Sequence, residues 1–185
     1  MKYIILFLVS ILPFSIISIA QTLENDSTEM KTGIVYGKDH AFSVTAPNGW
    51  ILDNHSGVQQ GIYAVFYPTG GSWENSTTVM YVNTASKNIE GNETVQSFIT
   101  KDSLDYSDTE IKRLPTIWTG DKKEARVLSF FYSNYDVVAY IDEPKIIAMI
   151  IMTARNKKDY EDNLSAFTEL VGSYLFLTSD VNFNK

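Results

Sequence analysis

Hydrophobic and polar positions divide the chain into an apolar head, a short polar leader and a long body of brief patterned segments. Met1–Ala20 (MKYIILFLVSILPFSIISIA) sets Lys2 before an apolar stretch from Tyr3 to about Ile17. The stretch closes on Ser18-Ile19-Ala20, small side chains at the two positions a signal peptidase inspects. Pro13 disfavours a continuous spanning helix. A cleaved export signal over residues 1–20 is therefore predicted, the alternative being an uncleaved anchor over residues 3–19. Residues 21–32 (QTLENDSTEMKT) are polar and lack apolar periodicity, so they read as a flexible leader. The body, residues 33–178, opens with two short strands, Ile34–Tyr36 and Ala41–Thr45, about a Gly37–His40 turn. Pro47-Asn48-Gly49 is a second turn, followed by Trp50–Leu52. Ile62–Tyr67 and Thr77–Thr84 read as strands joined by the loop Pro68–Ser76.

Asn92-Glu93-Thr94 offers caps to a helix from about Val95 to Leu104, with Val95, Phe98 and Ile99 on one face. Three strands follow, Glu110–Trp118, Glu124–Tyr132 and Asp136–Ile141, with hairpin turns at Gly120-Asp121 and Ser133-Asn134. Ile146–Met152 (IIAMIIM) is apolar without alternation, the pattern of a central strand covered on both faces. Tyr160, Leu164, Phe167, Val171 and Tyr174 recur at helical spacing, and Leu170 widens their stripe. Residues 179–185 form a polar tail. The prediction is one α+β domain.

Composition narrows what such a domain does. With 185 residues the chain suits a single domain. The absence of cysteine excludes disulfides, a thiol nucleophile, a Cys-ligated zinc and a lipid-modified cysteine. Twenty-two acidic against 15 basic residues give −7, which argues against nucleic acid as partner. Removing residues 1–20 takes away Lys2 and no acid, leaving −8.

The segment Phe42-Ser43-Val44-Thr45-Ala46-Pro47-Asn48-Gly49-Trp50 resembles the strand and Pro-x-Gly-Trp opening of PsbP-like domains. The segment Tyr160–Phe176, ending Ser-Tyr-Leu-Phe, resembles their closing helix. The resemblance spans roughly Ile34 to Thr178. It implies an antiparallel β-sheet sandwiched between helices, in a secreted microbial member of the family. Founding members are extrinsic subunits of photosystem II that help retain calcium and chloride; others include a Ran-binding nuclear import factor. Calcium enters as a cofactor only through this resemblance. No family metal-binding or docking motif falls on matching positions, and the head is not a Ser- and Arg-rich transit sequence.

Catalytic chemistry is poorly provided for. His40 and His55 are the two histidines, each beside a carboxylate (Asp39, Asp53) in a turn, without nucleophile context. Ser72 follows Gly70-Gly71, but Glu74 stands where Gly-x-Ser-x-Gly needs glycine. Asp39, His40, Asp53 and His55 would suit a zinc or manganese ion if their turns met, against the simpler account of solvated turn residues. Trp50 is expected in the core. Trp73, flanked by Tyr67 and Glu74, is the candidate anchor for a partner surface or sugar ring, unless its ring folds back over the sheet. Asn25, Asn54, Asn75, Asn92 and Asn163 head Asn-x-Ser/Thr sequons and are glycosylation candidates. The sequence thus predicts a secreted, non-catalytic domain that binds a protein or cell-envelope component. A metal or small-ligand module is the alternative, and membrane contact is expected only if the head stays uncleaved.

Overall fold

The run Ile146–Met152 lacks alternation because it lies at the centre of the molecule. In the computed structural model, which describes residues 31–88, 90, 93–104, 110–131 and 133–181, it belongs to β10 (Ile146–Ala154). Preceding it are β1 (Thr32–Gly37), β2 (His40–Thr45), β3 (Trp50–Asp53), β4 (Val65–Pro68), β5 (Thr78–Ser86) and α1 (Val95–Leu104). Then come β6 (Glu110–Arg113), β7 (Ile117–Trp118), β8 (Glu124–Phe131) and β9 (Tyr135–Asp142), while α2 (Lys157–Gly172) and β11 (Leu175–Thr178) end the described order. The predicted export signal, the predicted leader up to residue 30, and tail residues 182–185 lie outside the described residues.

The main sheet runs β3-β4-β5-β10-β9-β8-β6, with β7 on the same edge of β8 as β6. All pairs are antiparallel. Register sorts its side chains into two faces. Inward point Met80, Met152 and Val137 in one row and Val82, Ile150, Ala139 and Val127 in the next, all buried. Outward point Tyr81, Ile151, Val138 and Leu128, a second apolar set. The inner face is covered by α2 and by a three-stranded sheet, β1-β2-β11.

Local chemistry sets the helix limits. The Asn156 side chain accepts from the Asp159 N–H (2.9 Å), an N-cap for α2. Tyr160, Phe167, Leu170 and Val171 are its buried face. For α1, Thr94 Oγ1 accepts from the Ser97 N–H (3.1 Å) while Ser97 Oγ accepts from the Thr94 N–H (2.8 Å), a reciprocal cap.

Three expectations need correction. The closing helix stops at Gly172 instead of running to Phe176. The Ser173 N–H still bonds back to Glu169, but its Oγ accepts from the Thr45 N–H (2.9 Å), tying the chain to β2 and turning Leu175–Thr178 into a strand. Glu110–Trp118 is two strands, because the pairing with β8 slips by one residue between Arg113↔Leu128 and Ile117↔Ala125, an irregularity where Pro115 is tolerated. Finally, the sheet is not simply sandwiched between helices. The small sheet shares one face with α2, and the short α1 covers only part of the other.

The small sheet is fastened by a buried polar cluster. Glu143 is buried in the β9–β10 turn, and its Oε1 accepts from the Tyr174 hydroxyl (3.0 Å). Its Oε2 meets Lys123 Nζ at 2.5 Å. That ammonium also lies 3.4 Å from Asp121 and 4.3 Å from the Phe176 ring centroid. Asp121 in turn accepts from the Phe176 N–H (3.3 Å).

Candidate functional site

The sequence-predicted metal ligands do not form one centre. Among the described residues no three His, Asp or Glu side chains gather as an ion-binding group. Asp53 closes its own turn: Oδ1 accepts from the N–H groups of His55 (2.6 Å) and Ser56 (3.0 Å). Oδ2 accepts from Ser56 Oγ (2.6 Å) and Tyr67 OH (3.0 Å). Burial would raise its pKa, but these four donors outweigh that effect and hold it down at about 2. Asp39 lies 3.6 Å from Lys145, and His40 stacks on Phe42 with centroids 5.7 Å apart. Burial lowers the pKa of His40, against the opposing pull of Asp39. The His55 ring is in an exposed turn.

The three tryptophans have three different fates. Trp50 is buried in the core, as expected. Trp73 is half-buried, its ring edge-on to Tyr81 at 5.8 Å and 83°, folded back on the outer sheet face. Its neighbour Glu74 is exposed, with its carbonyl accepting from Arg155 (3.4 Å). Tyr67 is half-buried and engaged with Asp53. Trp118 is the tryptophan that stands out, 65% exposed, and sequence reasoning placed it inside a continuous strand. Pro115 upstream and the Gly120-Asp121 turn downstream were the signals that this strand breaks. Of the sequons, Asn54 and Asn75 are exposed. Asn163 donates its amide to the Asp159 carbonyl (2.7 Å) and Thr78 Oγ1 (3.3 Å), two bonds that a glycan on Nδ2, which leaves one N–H, would not allow together. Asn25 and Asn92 lie outside the described residues.

Two concavities combine shape with chemistry. The larger, about 500 Å³, runs between β6 and α2 on the inner side of the sheet edge. Its apolar wall includes Leu114, Phe131, Tyr135, Tyr160 and Leu164, and its rim carries Glu110, Lys112, Lys157 and Glu161. Phe131, Tyr135 and Tyr160 pack mutually at centroid distances of 5.2, 5.8 and 6.0 Å. Among the described residues strand β6 beside it ends the sheet, and all four of its residues are exposed. The Leu114 N–H donates to the Val127 carbonyl (2.9 Å). By strand alternation Lys112 and Glu110 also turn their N–H groups to β8, so those of Ile111 and Arg113 face outward.

The second concavity, about 300 Å³, lies on the outer face beside α1. Tyr81, Phe98, Met149 and Ile151 line it together with Asn83, Asn134, Asp102 and Asp136. Asp102 accepts from the Tyr140 hydroxyl at 2.5 Å. Asp136 Oδ1 is shut off from solvent and has no hydrogen-bond partner among the described residues. Burial raises the Asp136 pKa, against the hydrogen bond from Thr153. A raised folded pKa adds stability that is complete below the unfolded value and is lost as pH climbs through the folded one. Asp136→Asn is accordingly expected to match the parent at about pH 3, below the unfolded carboxyl pKa, and to exceed it by about 1 kcal/mol at pH 7. Urea unfolding at both pH values checks this; an equal difference at both would mean that the carboxyl does not titrate abnormally.

No protein-family model and no curated protein sequence matches the chain. Among solved structures it is similar to the solution structure of cyanobacterial PsbP (CyanoP) from Synechocystis sp. PCC 6803, at 14% identity and a TM-score of 0.47. The match covers 80% of this chain and 94% of that one. That protein bears the family name suggested by the Phe42–Trp50 segment, but a likeness of this degree assigns neither fold nor activity here. Among the described residues no helix is long and apolar enough to cross a membrane.

Proposed function

We propose that the chain is a non-catalytic, extracytoplasmic binding domain that takes an extended polypeptide segment of a protein or envelope component along β6. The observation carrying this reading is the juxtaposition of an open strand edge with an aromatic-walled groove of about 500 Å³. A strand added to the edge would bond to the outward N–H groups of Ile111 and Arg113. Alternate side chains would then drop into the groove, with backbone bonds giving affinity and the groove giving selectivity. The mixed rim, Glu110 and Glu161 with Lys112 and Lys157, favours a partner with both charges flanking an apolar residue.

Ile111→Pro tests it, since proline removes an outward donor and is tolerated on a sheet edge. Peptides selected on the parent protein from a random display library are expected to protect the Ile111 and Arg113 amides from hydrogen exchange. They are also expected to bind Ile111→Pro at least about tenfold more weakly. Equal binding to a folded Ile111→Pro would end the proposal.

A second reading, a small-ligand or calcium module, is favoured by the unpartnered Asp136 Oδ1 in the outer-face concavity. Trp73 stands beside Tyr81, which lines that concavity, and so would serve as a recognition residue there. Native mass spectrometry with calcium distinguishes the readings: a stoichiometric adduct lost in Asp136→Asn supports it, and no adduct removes the calcium form.

A further inference from the structure

The small sheet has an apolar face on each side. Val35, Phe42, Val44 and Phe176 point into the core. On the opposite side Ile34 and Tyr36 of β1 and Leu175 and Leu177 of β11 are between 42% and 63% exposed. Ile34 and Leu175 both pair with Ser43, from its two sides, so they stand two strand spacings apart, about 10 Å, with a small side chain between. Strand alternation puts Leu177 on the outside as well, ahead of a register irregularity between Phe176 and Thr178. Ile34 also lines a groove of about 350 Å³ with the exposed Tyr63. Three aliphatic side chains with two tyrosines at the margin make an exposed apolar patch around Ser43, the kind of surface that marks protein or membrane contact.

What lies next to this face in the chain indicates its occupant. Strand β1 begins at Thr32, and the apolar stretch from Tyr3 to about Ile17 precedes it in sequence. Residues 18–31 between them span at most about 50 Å when fully extended. A bilayer that held the apolar stretch would keep β1 within that distance of its surface. Lys31 and Lys38, exposed at the two ends of β1, are suited to headgroups, and the tyrosines to the interfacial zone.

We infer that the outer face of the small sheet rests on a lipid surface, with the apolar head retained as its anchor. The absence of native cysteine makes the test direct. Ser43→Cys puts a fluorescent label at the middle of the face, and Ser165→Cys puts one on exposed α2 as control. The full chain is inserted into phosphatidylcholine vesicles carrying nitroxide-labelled lipid. The label at position 43 is expected to be quenched several-fold more by the lipid nitroxide than the label at 165, and less by aqueous iodide. Adding Ile34→Ser and Leu177→Ser to the position-43 chain is expected to erase that contrast with circular dichroism unchanged. Equal quenching at positions 43 and 165 overturns the inference. So does a position-43 label insensitive to lipid nitroxide whose shielding from iodide is lost on dilution, which would make the occupant a second copy. An intact mass from cells lacking residues 1–20 also overturns it.

Discussion

Lys123→Met is expected to lower the unfolding free energy by about 3 kcal/mol at pH 7, one of the two largest single-residue losses anticipated for this fold. The side chain of Glu143 is wholly inaccessible, whereas that of Lys123 is 34% exposed, so the carboxylate depends on the ammonium more than the reverse. Burial raises the Glu143 pKa, and Lys123 and the Tyr174 hydroxyl pull against that rise. Burial also pushes the Tyr174 hydroxyl up, with the Glu143 charge adding to it, so Tyr174 stays a donor. Methionine preserves much of the stem that passes Phe176 but removes the charge that offsets desolvation. The sign follows from linkage. A carboxyl with a raised folded pKa favours folding below the unfolded value and loses that contribution as pH rises through the folded one. Removing Lys123 deepens the loss, so parent and variant are expected to converge towards pH 4 and to separate at pH 7. Adding Glu143→Gln to Lys123→Met should recover most of the deficit, because a neutral amide oxygen still accepts from Tyr174. Urea unfolding of the three proteins at both pH values measures this. A Lys123→Met variant as stable as the parent at pH 7 would mean that water reaches Glu143.

Phe42→Ala is expected to cost about 3–5 kcal/mol, and to do so globally. Phe42 is fully buried at the centre of the small sheet, stacked by His40 on one side and 4.9 Å from the Tyr174 ring on the other. It belongs to the same core cluster as Met80, Ile150 and Phe167, so the cavity opens between the two sheets. Hydrogen exchange separates a global from a local effect. Protection is expected to fall in β10 by the same free energy as in β2. If only β1, β2 and β11 lost protection, the small sheet would be an independently opening flap.

Most of this architecture was legible where one residue pattern had one physical meaning. The 4-3-4 spacing from Tyr160 to Val171 gave the core-facing stripe of α2, and the unbroken IIAMIIM run gave the strand with two buried faces. The reading faltered where local pattern and tertiary pairing compete. Leu175-Phe176-Leu177 continues a helical sequence plausibly, and only β2, some 130 residues earlier, makes it a strand. For Trp73 the loop left two outcomes, an exposed anchor or a ring folded back over the sheet, and Tyr81 arriving from β5 to receive its edge decides for the second. The groove at β6 was invisible for a similar reason. Phe131 falls within a predicted strand and Tyr160 on the helical stripe, and the partial exposure of Phe131 and Tyr135 follows from where the sheet ends. Asp136 could not be singled out among 22 acids; its orphaned oxygen is a product of register with Phe130 and Thr153.

The position of β2 between β1 and β11 has a temporal consequence. One of its two hydrogen-bonded neighbours is the last strand of the described chain, so the edge facing β11 stays open until nearly the whole polypeptide is available. A chain emerging amino end first carries an unpaired strand edge and an uncovered Phe42 throughout its passage, and closes them in a final docking step. Such a molecule is slow to commit to its native state, the condition an export machine that handles unfolded substrate requires.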